Sequence, residues 1–451
     1  MSSSSFHVIG VGGPGMSALA RLIHGMGHHV SGCDAKASDA TARLQRDGVT
    51  VRLGNDDTHV NDMDFVTHSS AVPPDHHELR AARSRGARVL TRGEALSMVC
   101  RSRPSIGVAG THGKTTTTAM LSSILIACDG DPSYLIGGET SLPGSNAHWG
   151  GGDVLVVEAD ESDSTHLALP LSAAVVTNVD VDHLDNLGSF AEIMHSFERF
   201  VAQVDGPVVV GVDDPGARSL VAVPNVLGFG IDGGEYRAND VELRPGRVEF
   251  TLAHGGSRHR VVVGQRGIHN VRNALGALAI AHRWGVDLSD ACAAMAEFRG
   301  VSRRFDVRGS VNGTTFVDDY AHLPAEIAAT LAVARAEKGA GRVVAVFQPN
   351  RFNRMEKMSG DYRDAFVDAD VTLITEIYAS GTAPIDGVSG SQVVDAIRAA
   401  HPHADVRWCP TRDALLGAVI DVIEAGDLCV SMGCGDVEHL PSEVMSRIGS
   451  A

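Results

Sequence analysis

Residues 106–118 read IGVAGTHGKTTTT, an apolar run, two glycines, a lysine and four threonines. The run SIGVA ahead of it and AMLSSILIA behind it predict a strand, a tight loop and a helix. Such a loop suits a phosphate chain. Gly110 and Gly113 let backbone amides face the phosphates, with Thr111, His112 and Thr116 in the same loop and first helical turn. Lys114 neutralises β/γ-phosphate charge and Thr115 reaches Mg²⁺. Val108 occupies the first glycine position of the general GxxxxGK[ST] spacing, so the match is to the Gly-Lys-Thr core alone. The expectation is an ATP or GTP site in an α/β fold.

Such a site wants an acid at the end of a neighbouring strand to hold the metal. DVLVVEADESD supplies Glu158, with Asp160, Glu161 and Asp163 behind it, and one or two of these four are expected to matter. TNVDVDHLD (177–185) ends another strand with His183 between Asp182 and Asp185. His183 is a ligand candidate, although imidazole suits Mg²⁺ less well than oxygen does.

Upstream, VIGVGGPGMS (8–17) is a second glycine cluster. Gly10, Gly12 and Gly15 satisfy GxGxxG between an apolar strand and a helical stretch, and Asp34 ends the next strand. By itself the motif admits NAD, another diphosphate nucleotide, or simple helix–strand packing. Ser69 and Ser70 close a later strand, where hydroxyls bond a ligand or cap a helix.

Strands alternate with helical stretches almost throughout, as parallel sheets require. CRSRP (100–104) reads as a joint, VELRPGRVEFTLAHGGSRHRVVV (241–263) as an antiparallel flap, and FRGVSRRF (298–305) as the start of a third α/β series. The domains expected are therefore 1–103, 104–301 and 302–451, with hinges near 101–104 and 299–303.

With 451 residues, 43% of them hydrophobic, the chain has ample material for buried cores. A net charge of −17 without any lysine/arginine run argues against nucleic acid. The start lacks a secretory pattern, and apolar runs are too short for a membrane span. The seven cysteines are scattered, which fits reduced thiols in a cytoplasm better than a disulfide framework or a zinc site.

Taken in order, VIGVGGPGMSALA, SSAVPPD, AGTHGKTTTT, EADESD, TNVDVDHLD, GIHNVRNALGALAIA, FRGVSRRFDVRG, FVDDYAHLPAEI, VFQPNRFNR, YASGTAPIDGV and SMGCGDV resemble the Mur ligase family over nearly the whole chain. Within it the resemblance is to members that add L-alanine to UDP-N-acetylmuramate. It implies an N-terminal Rossmann-like domain for UDP, a central P-loop ATPase-like parallel sheet for ATP, and a Rossmann-like C-terminal domain for the amino acid. NAD is then absent. The implied chemistry is ATP-driven amide formation through an acyl phosphate, in peptidoglycan precursor synthesis.

The resemblance puts Lys114 on the phosphates and Thr115, Glu158 and His183 around Mg²⁺. His269, Asn270 and Asn273 fall near adenine, while Arg304 and Asp319 close onto the nucleotide. Tyr320, His322, Arg351 and Arg354 meet the amino acid, and Gly12, Gly13, Gly15, Met16, Asp34, Ser69 and Ser70 meet the UDP-sugar. The partners implied are small molecules, with no nucleic acid or membrane, for a monomer or homodimer.

Two positions depart from the family pattern: Leu323 and Asn350 each stand where a histidine is usual. Both fall in the amino-acid domain, so a ligase that attaches a whole tripeptide is an alternative acceptor reading. A non-catalytic nucleotide-binding regulator is the alternative from another class. Phe197 stands where relatives acting later in the pathway carry a carbamylated lysine, as suits an alanine-adding member.

Overall fold

The computed structural model describes residues 3–69, 71–161, 163–180 and 189–449. Ser70 and His183 lie outside the described residues, as do Asp182 and Asp185.

The first sheet has strands β1 (Ser5–Ile9), β2 (His29–Asp34), β3 (Thr50–Leu53), β4 (Phe65–His68) and β5 (Arg88–Thr91) in the order β3-β2-β1-β4-β5. Its pairs are all parallel. Helices α1 (Pro14–Gly25), α2 (Asp39–Arg46), α3 (His77–Ser84) and α4 (Arg92–Cys100) make the crossovers. Strand order reverses at β1, so the glycine turn following β1 opens at a topological switch point, where α/β sheets bind ligands.

The second sheet contains β6 (Ser105–Ala109), β7 (Ser133–Leu135), β8 (Ala147–His148), β9 (Leu155–Glu158), β10 (Ala173–Val176), β11 (Val208–Gly211), β12 (Val226–Gly230), β13 (Tyr236–Arg244), β14 (Arg247–His254) and β15 (Ser257–Val263). The order is β15-β14-β13-β12-β11-β10-β6-β9-β7-β8. Every residue of β6, β10 and β11 is buried. Val-rich runs without alternation are what a parallel strand covered on both faces requires. β6 lies between β9 and β10, a second switch point, and the Gly-Lys-Thr loop follows it. Residues 241–263, expected as an antiparallel flap on the second domain, belong to that domain's sheet. They extend this same sheet through β13–β15, with two-residue connections of the kind that join antiparallel strands. Helices α5 (Lys114–Ala127), α6 (Phe190–Ala202), α7 (Pro215–Ser219), α8 (Ile268–Arg283) and α9 (Leu288–Ala294) accompany it.

One apolar cluster runs from Phe6 and Leu22 of the first sheet layer to Val176 and Phe200 of the second. At the joint expected at residues 101–104, the Arg103 guanidinium lies 3.7 Å from the Trp149 ring centre and donates to Ser133 Oγ at 2.9 Å and Gly150 O at 3.0 Å. Residues 1–242, 249–264 and 270–300 accordingly form one compact unit.

The second unit comprises residues 243–248, 265–269 and 301–451. Its sheet has β16 (Asp306–Val311), β17 (Thr314–Asp319), β18 (Val343–Phe347), β19 (Val371–Thr375), β20 (Asp405–Cys409) and β21 (Leu428–Met432), in the order β16-β17-β21-β18-β19-β20. Only the β16–β17 pair is antiparallel. Helices α10 (Pro324–Lys338), α11 (Phe352–Met358), α12 (Ser391–Ala400), α13 (Arg412–Val422) and α14 (Leu440–Gly449) cover it. Among the described residues no helix is long and apolar enough to cross a membrane, and no disulfide forms.

Candidate active site

The loop between β6 and α5 is shaped by two glycines that no other residue replaces. Gly110 has φ +128° and Gly113 φ +80°. A Cβ on Gly110 would overlap the Thr177 hydroxyl, and one on Gly113 the Asn273 side-chain oxygen. The chain after β10 clasps the loop: Thr111 N–H donates to Asn178 O (3.1 Å) and His112 N–H to Asn178 Oδ1 (2.8 Å). Thr177 Oγ1 and Asn178 Nδ2 donate in turn to His112 O, at 2.6 and 2.9 Å. Gly113 caps α5 with no side-chain hydrogen bond, which turns the amides of the helix head toward an anion.

Lys114 Nζ donates to Gly110 O (2.6 Å), Thr111 O (3.2 Å) and Glu161 Oε1 (2.8 Å). Burial by itself disfavours the Lys114 ammonium, but Glu161, Asp160 and Glu158 outweigh it and hold the group cationic, above its ordinary range. Burial pushes the Glu161 carboxyl up to about 7, against the pull of Lys114. Of the acids in EADESD, then, Glu161 is the counter-ion of the lysine.

Glu158 has a different role. Thr115 Oγ1 donates to its carboxylate, 3.1 Å from each oxygen, and Gly137 N–H donates to Oε2 at 2.8 Å. Thr115 and Glu158 are thus in direct contact. Thr116 is buried beside them, and Thr118 Oγ1 donates back to Lys114 O at 2.8 Å, tying the first helical turn. On α8, Asn273 Nδ2 donates to Asn270 Oδ1 at 3.1 Å, both side chains being buried, and Asn273 packs on Gly113. The division between the two compact units falls between His269 and Asn270, so His269 groups with the C-terminal residues.

At the first cradle Gly10 takes φ +76°, and the N–H groups of Gly10 and Val11 donate to Cys33 O at 2.9 and 3.0 Å. Gly13 caps α1 without a side-chain bond, with Pro14 at the first helical position. Asp34 Oδ2 accepts the Gly12 N–H at 2.9 Å, so this carboxylate holds the glycine turn itself. Met16 is buried in the core and has only its backbone to offer a ligand. Ser69 Oγ accepts from Ala71 N–H at 3.3 Å. Sequence reasoning missed Arg92: a Cβ on Gly15 would stand 3.1 Å from its Nη1, and its Nη2 is 3.8 Å from Asp160 Oδ2. The residue sits at the start of α4, where its only local signal is that of a helix beginning after Thr91.

In the C-terminal unit Asp319, Tyr320 and His322 stand at the carboxyl end of β17, Arg351 and Arg354 follow β18, and Arg304 precedes β16. Both Asp319 oxygens accept backbone N–H groups, from Phe305 (2.7 Å) and Ala321 (2.8 Å). Burial still pushes this carboxyl up to about 6, although Arg304 pulls it down. Tyr320 lies with the guanidinium carbons of Arg303 and Arg304 at 5.1 and 5.2 Å from its ring centre, and with the His322 ring edge-on at 5.6 Å. His322 Nδ1 also lies 3.1 Å from Tyr320 O and 3.3 Å from Glu326 Oε2. Arg303, Phe305 and Arg351 all have positive φ (61°, 49° and 62°), a cost that chains retain where a site demands it. Arg354 is buried and donates from Nη1 to Asn350 Oδ1 at 2.8 Å. Asn350 therefore positions Arg354, whereas Leu323 is a buried residue ahead of α10. Phe197 is fully buried against the His166 ring.

Three family models tile the chain: Mur ligase family, catalytic domain, over residues 5–103; Mur ligase middle domain over 108–281; and Mur ligase, glutamate ligase domain, over 303–435. The chain belongs to the Mur ligase family, a class of amide-forming ligases. The UDP-N-acetylmuramate–L-alanine ligase of Rubrobacter xylanophilus is 41% identical, over 98% of this chain and 99% of that protein. The crystal structure of the UDP-N-acetylmuramate–alanine ligase from Thermotoga maritima superposes with a TM-score of 0.83 at 28% identity, covering 99% of each chain. A murein peptide ligase from Psychrobacter arcticus gives 0.75 at 26% identity, covering 100% of this chain and 99% of that one.

Proposed function

We propose that this chain is an ATP-dependent ligase that joins L-alanine to the lactyl carboxylate of UDP-N-acetylmuramate in the cytoplasm, for peptidoglycan precursor synthesis. The observation that carries the reading is the head of α5, where Lys114, Thr115 and the Glu158 carboxylate meet beneath a loop locked by Thr177, Asn178 and Asn273. A carboxylate is a poor electrophile at neutral pH, and transfer of the γ-phosphoryl group to it creates a leaving group. The lactyl oxygen attacks phosphorus and ADP departs. The alanine amine then attacks the acyl carbonyl, and phosphate leaves with the carbon–oxygen bond.

The protein positions these groups and stabilises the charge on the transferring oxygens. Lys114, already cationic, faces the phosphates, and Glu161 keeps it so. The hydroxyl of Thr115 and the carboxylate of Glu158 are hard oxygen donors that fit Mg²⁺, which would neutralise phosphate charge there; His183 is the third ligand inferred. The UDP-sugar belongs to residues 1–103, on the amides of Gly12, Gly13, Gly15 and Met16 with Asp34, Ser69 and Ser70, and Arg92 supplies a cation. ATP belongs to 104–301, and Asn270, Asn273 and His269 are assigned to its adenine side. The amino acid belongs to 302–451: Arg351 and Arg354 take its carboxylate beside Tyr320 and His322, and Arg304 and Asp319 meet the nucleotide.

The test is phosphate release from ATP with Mg²⁺ and UDP-N-acetylmuramate, run separately with L-alanine, L-serine, glycine and the wall tripeptide. Release that needs both the UDP-sugar and L-alanine is expected. Release with the tripeptide alone would move the assignment to a peptide-attaching ligase, the second reading, which Leu323 and Asn350 favour. Absence of release with every acceptor, despite ATP binding, would support a regulator instead.

A further inference from the structure

Four polar side chains meet inside the N-terminal sheet layer, away from both cradles' ligand faces. They are His7 on β1, Cys33 on β2, His59 on the short 3-10 turn Asp57–Val60, and Glu78 in the first turn of α3. All four are buried, and His7 and Glu78 are 0% exposed. One donor atom from each lies within 4.8 Å of all the others. Cys33 Sγ is the hub, 3.4 Å from His7 Nε2 and 3.3 Å from Glu78 Oε2, while His59 Nδ1 is 2.9 Å from Glu78 Oε1.

The two sulfur spacings, 3.4 and 3.3 Å, match a tetrahedral metal, whereas the 2.9 Å His59–Glu78 contact is a hydrogen bond that has to open for both atoms to bind an ion. Zinc bonds of about 2.0–2.3 Å to nitrogen, oxygen and sulfur put the donors about 3.3–3.8 Å apart. A second layer of contacts orients the donors. Ser31 Oγ is 2.8 Å from His7 Nδ1, which leaves Nε2 to point at the hub, and Asp56 N–H donates to Glu78 Oε1 at 2.8 Å. The His76 Nδ1 atom is buried 3.8 Å from Glu78 Oε2, with no hydrogen-bond partner among the described residues. Ile9, Val60, Val66 and Leu79 share a buried apolar cluster with Cys33, whose Sγ also lies 3.9 Å from Asn55 Oδ1. A thiol, two imidazoles and a carboxylate form a donor set in which no lysine or arginine takes part.

We propose that His7, Cys33, His59 and Glu78 form a closed structural zinc site. The mixed sulfur, nitrogen and oxygen set favours Zn²⁺ over the hard Mg²⁺ of the phosphate loop. On binding, Zn²⁺ replaces the thiol proton of Cys33, which leaves to solvent, and no oxidation state changes. The ion ties together two strands, a turn and a helix directly beneath the first cradle, because the Cys33 carbonyl accepts the N–H of Gly10 and Val11. The cysteine spacing pointed away from zinc because each ligand comes from a different element.

The test uses the full-length protein, stripped with chelator and then given Zn²⁺ or Co²⁺ with excess Mg²⁺ present. One zinc per chain should survive gel filtration, and Tm should rise by a few degrees. Co²⁺ should show a thiolate-to-cobalt charge-transfer band in the unsubstituted protein. Cys33→Ser should lose that band and His59→Gln should lose retained zinc, whereas Cys128→Ser should keep both. Absence of retained zinc, a cobalt spectrum without the thiolate band, or equal retention in Cys33→Ser and His59→Gln would overturn the site. The cobalt spectrum of the unsubstituted protein decides even if a variant does not fold.

Discussion

The two glycine cradles share a backbone and differ in what stands around it. Each follows a buried parallel strand at a switch point, and each opens a helix capped by glycine without a side-chain bond. The first is braced by a carboxylate, Asp34 on Gly12 N–H, and a lone guanidinium, Arg92, lies beside Gly15. The second carries a buried lysine with its own counter-ion and a hydroxyl facing a second carboxylate. Helix heads alone hold a diphosphate, whereas phosphoryl transfer adds a fixed cation and a metal-binding oxygen pair. The glycines shape the two turns alike; the neighbours set them apart.

That contrast breaks most sharply at Lys114. Lys114→Met should reduce phosphate release by about 10³-fold, and equal activity in a steady-state assay would remove the distinction between the cradles. The same variant sharpens it through stability. Glu161, left buried without its partner, should destabilise the chain by about 3–5 kcal/mol when ionised. Its carboxyl is raised from 4.5 to about 7 by burial even with Lys114 present. A raised carboxyl binds its proton more tightly in the folded state, so that contribution is whole below the unfolded value and is lost as pH rises through the folded one. Urea melts should therefore show Lys114→Met regaining stability as pH is lowered from 8 to 5.

Gly113→Ala comes next. A left-handed φ and a Cβ overlapping Asn273 should cost about 1–3 kcal/mol, read as a lowered Tm with a raised KM for ATP. Gly12→Ala is the matched probe of the first cradle, where a Cβ would stand 2.8 Å from Asp34 Oδ2. It should raise the KM for UDP-N-acetylmuramate about tenfold through strained contacts and leave that for ATP unchanged. An equal change in both constants would mean that the cradles act as one site. The smallest effect is expected in the C-terminal unit, where Asn350→Ala removes one acceptor of Arg354. A KM for L-alanine raised about fivefold, with kcat unchanged, is expected from the loss of one hydrogen bond to a charged group.

Much of this was legible in the chain. The strand–loop–helix around GTHGKTTTT follows from apolar patterning and glycine, whereas the hydrogen bond from Thr115 to Glu158 shows only in the structure. The acid run was only half legible. Spacing could not separate Glu161, turned inward onto Lys114, from Glu158, turned onto Thr115, because that depends on which way the chain leaves β9. Residues 241–263 read as strands without helices between them, and the structure adds them by hairpins to the edge of the central sheet. The joint at 101–104 read as a break in the pattern, and the packing of Arg103 on Trp149 shows only in the structure.

The sequence by itself determined the class of fold, both glycine turns and the order of the three family segments. Local patterns carry these, since glycine conformation and strand hydrophobicity act over a few residues. The tertiary structure alone decided that Asp34 braces a loop, that Arg92 reaches Gly15, that Asn350 holds Arg354, and that His7, Cys33, His59 and Glu78 converge. Those pairings join residues 4 to 77 positions apart, and sheet order, which no local pattern encodes, brings most of them together.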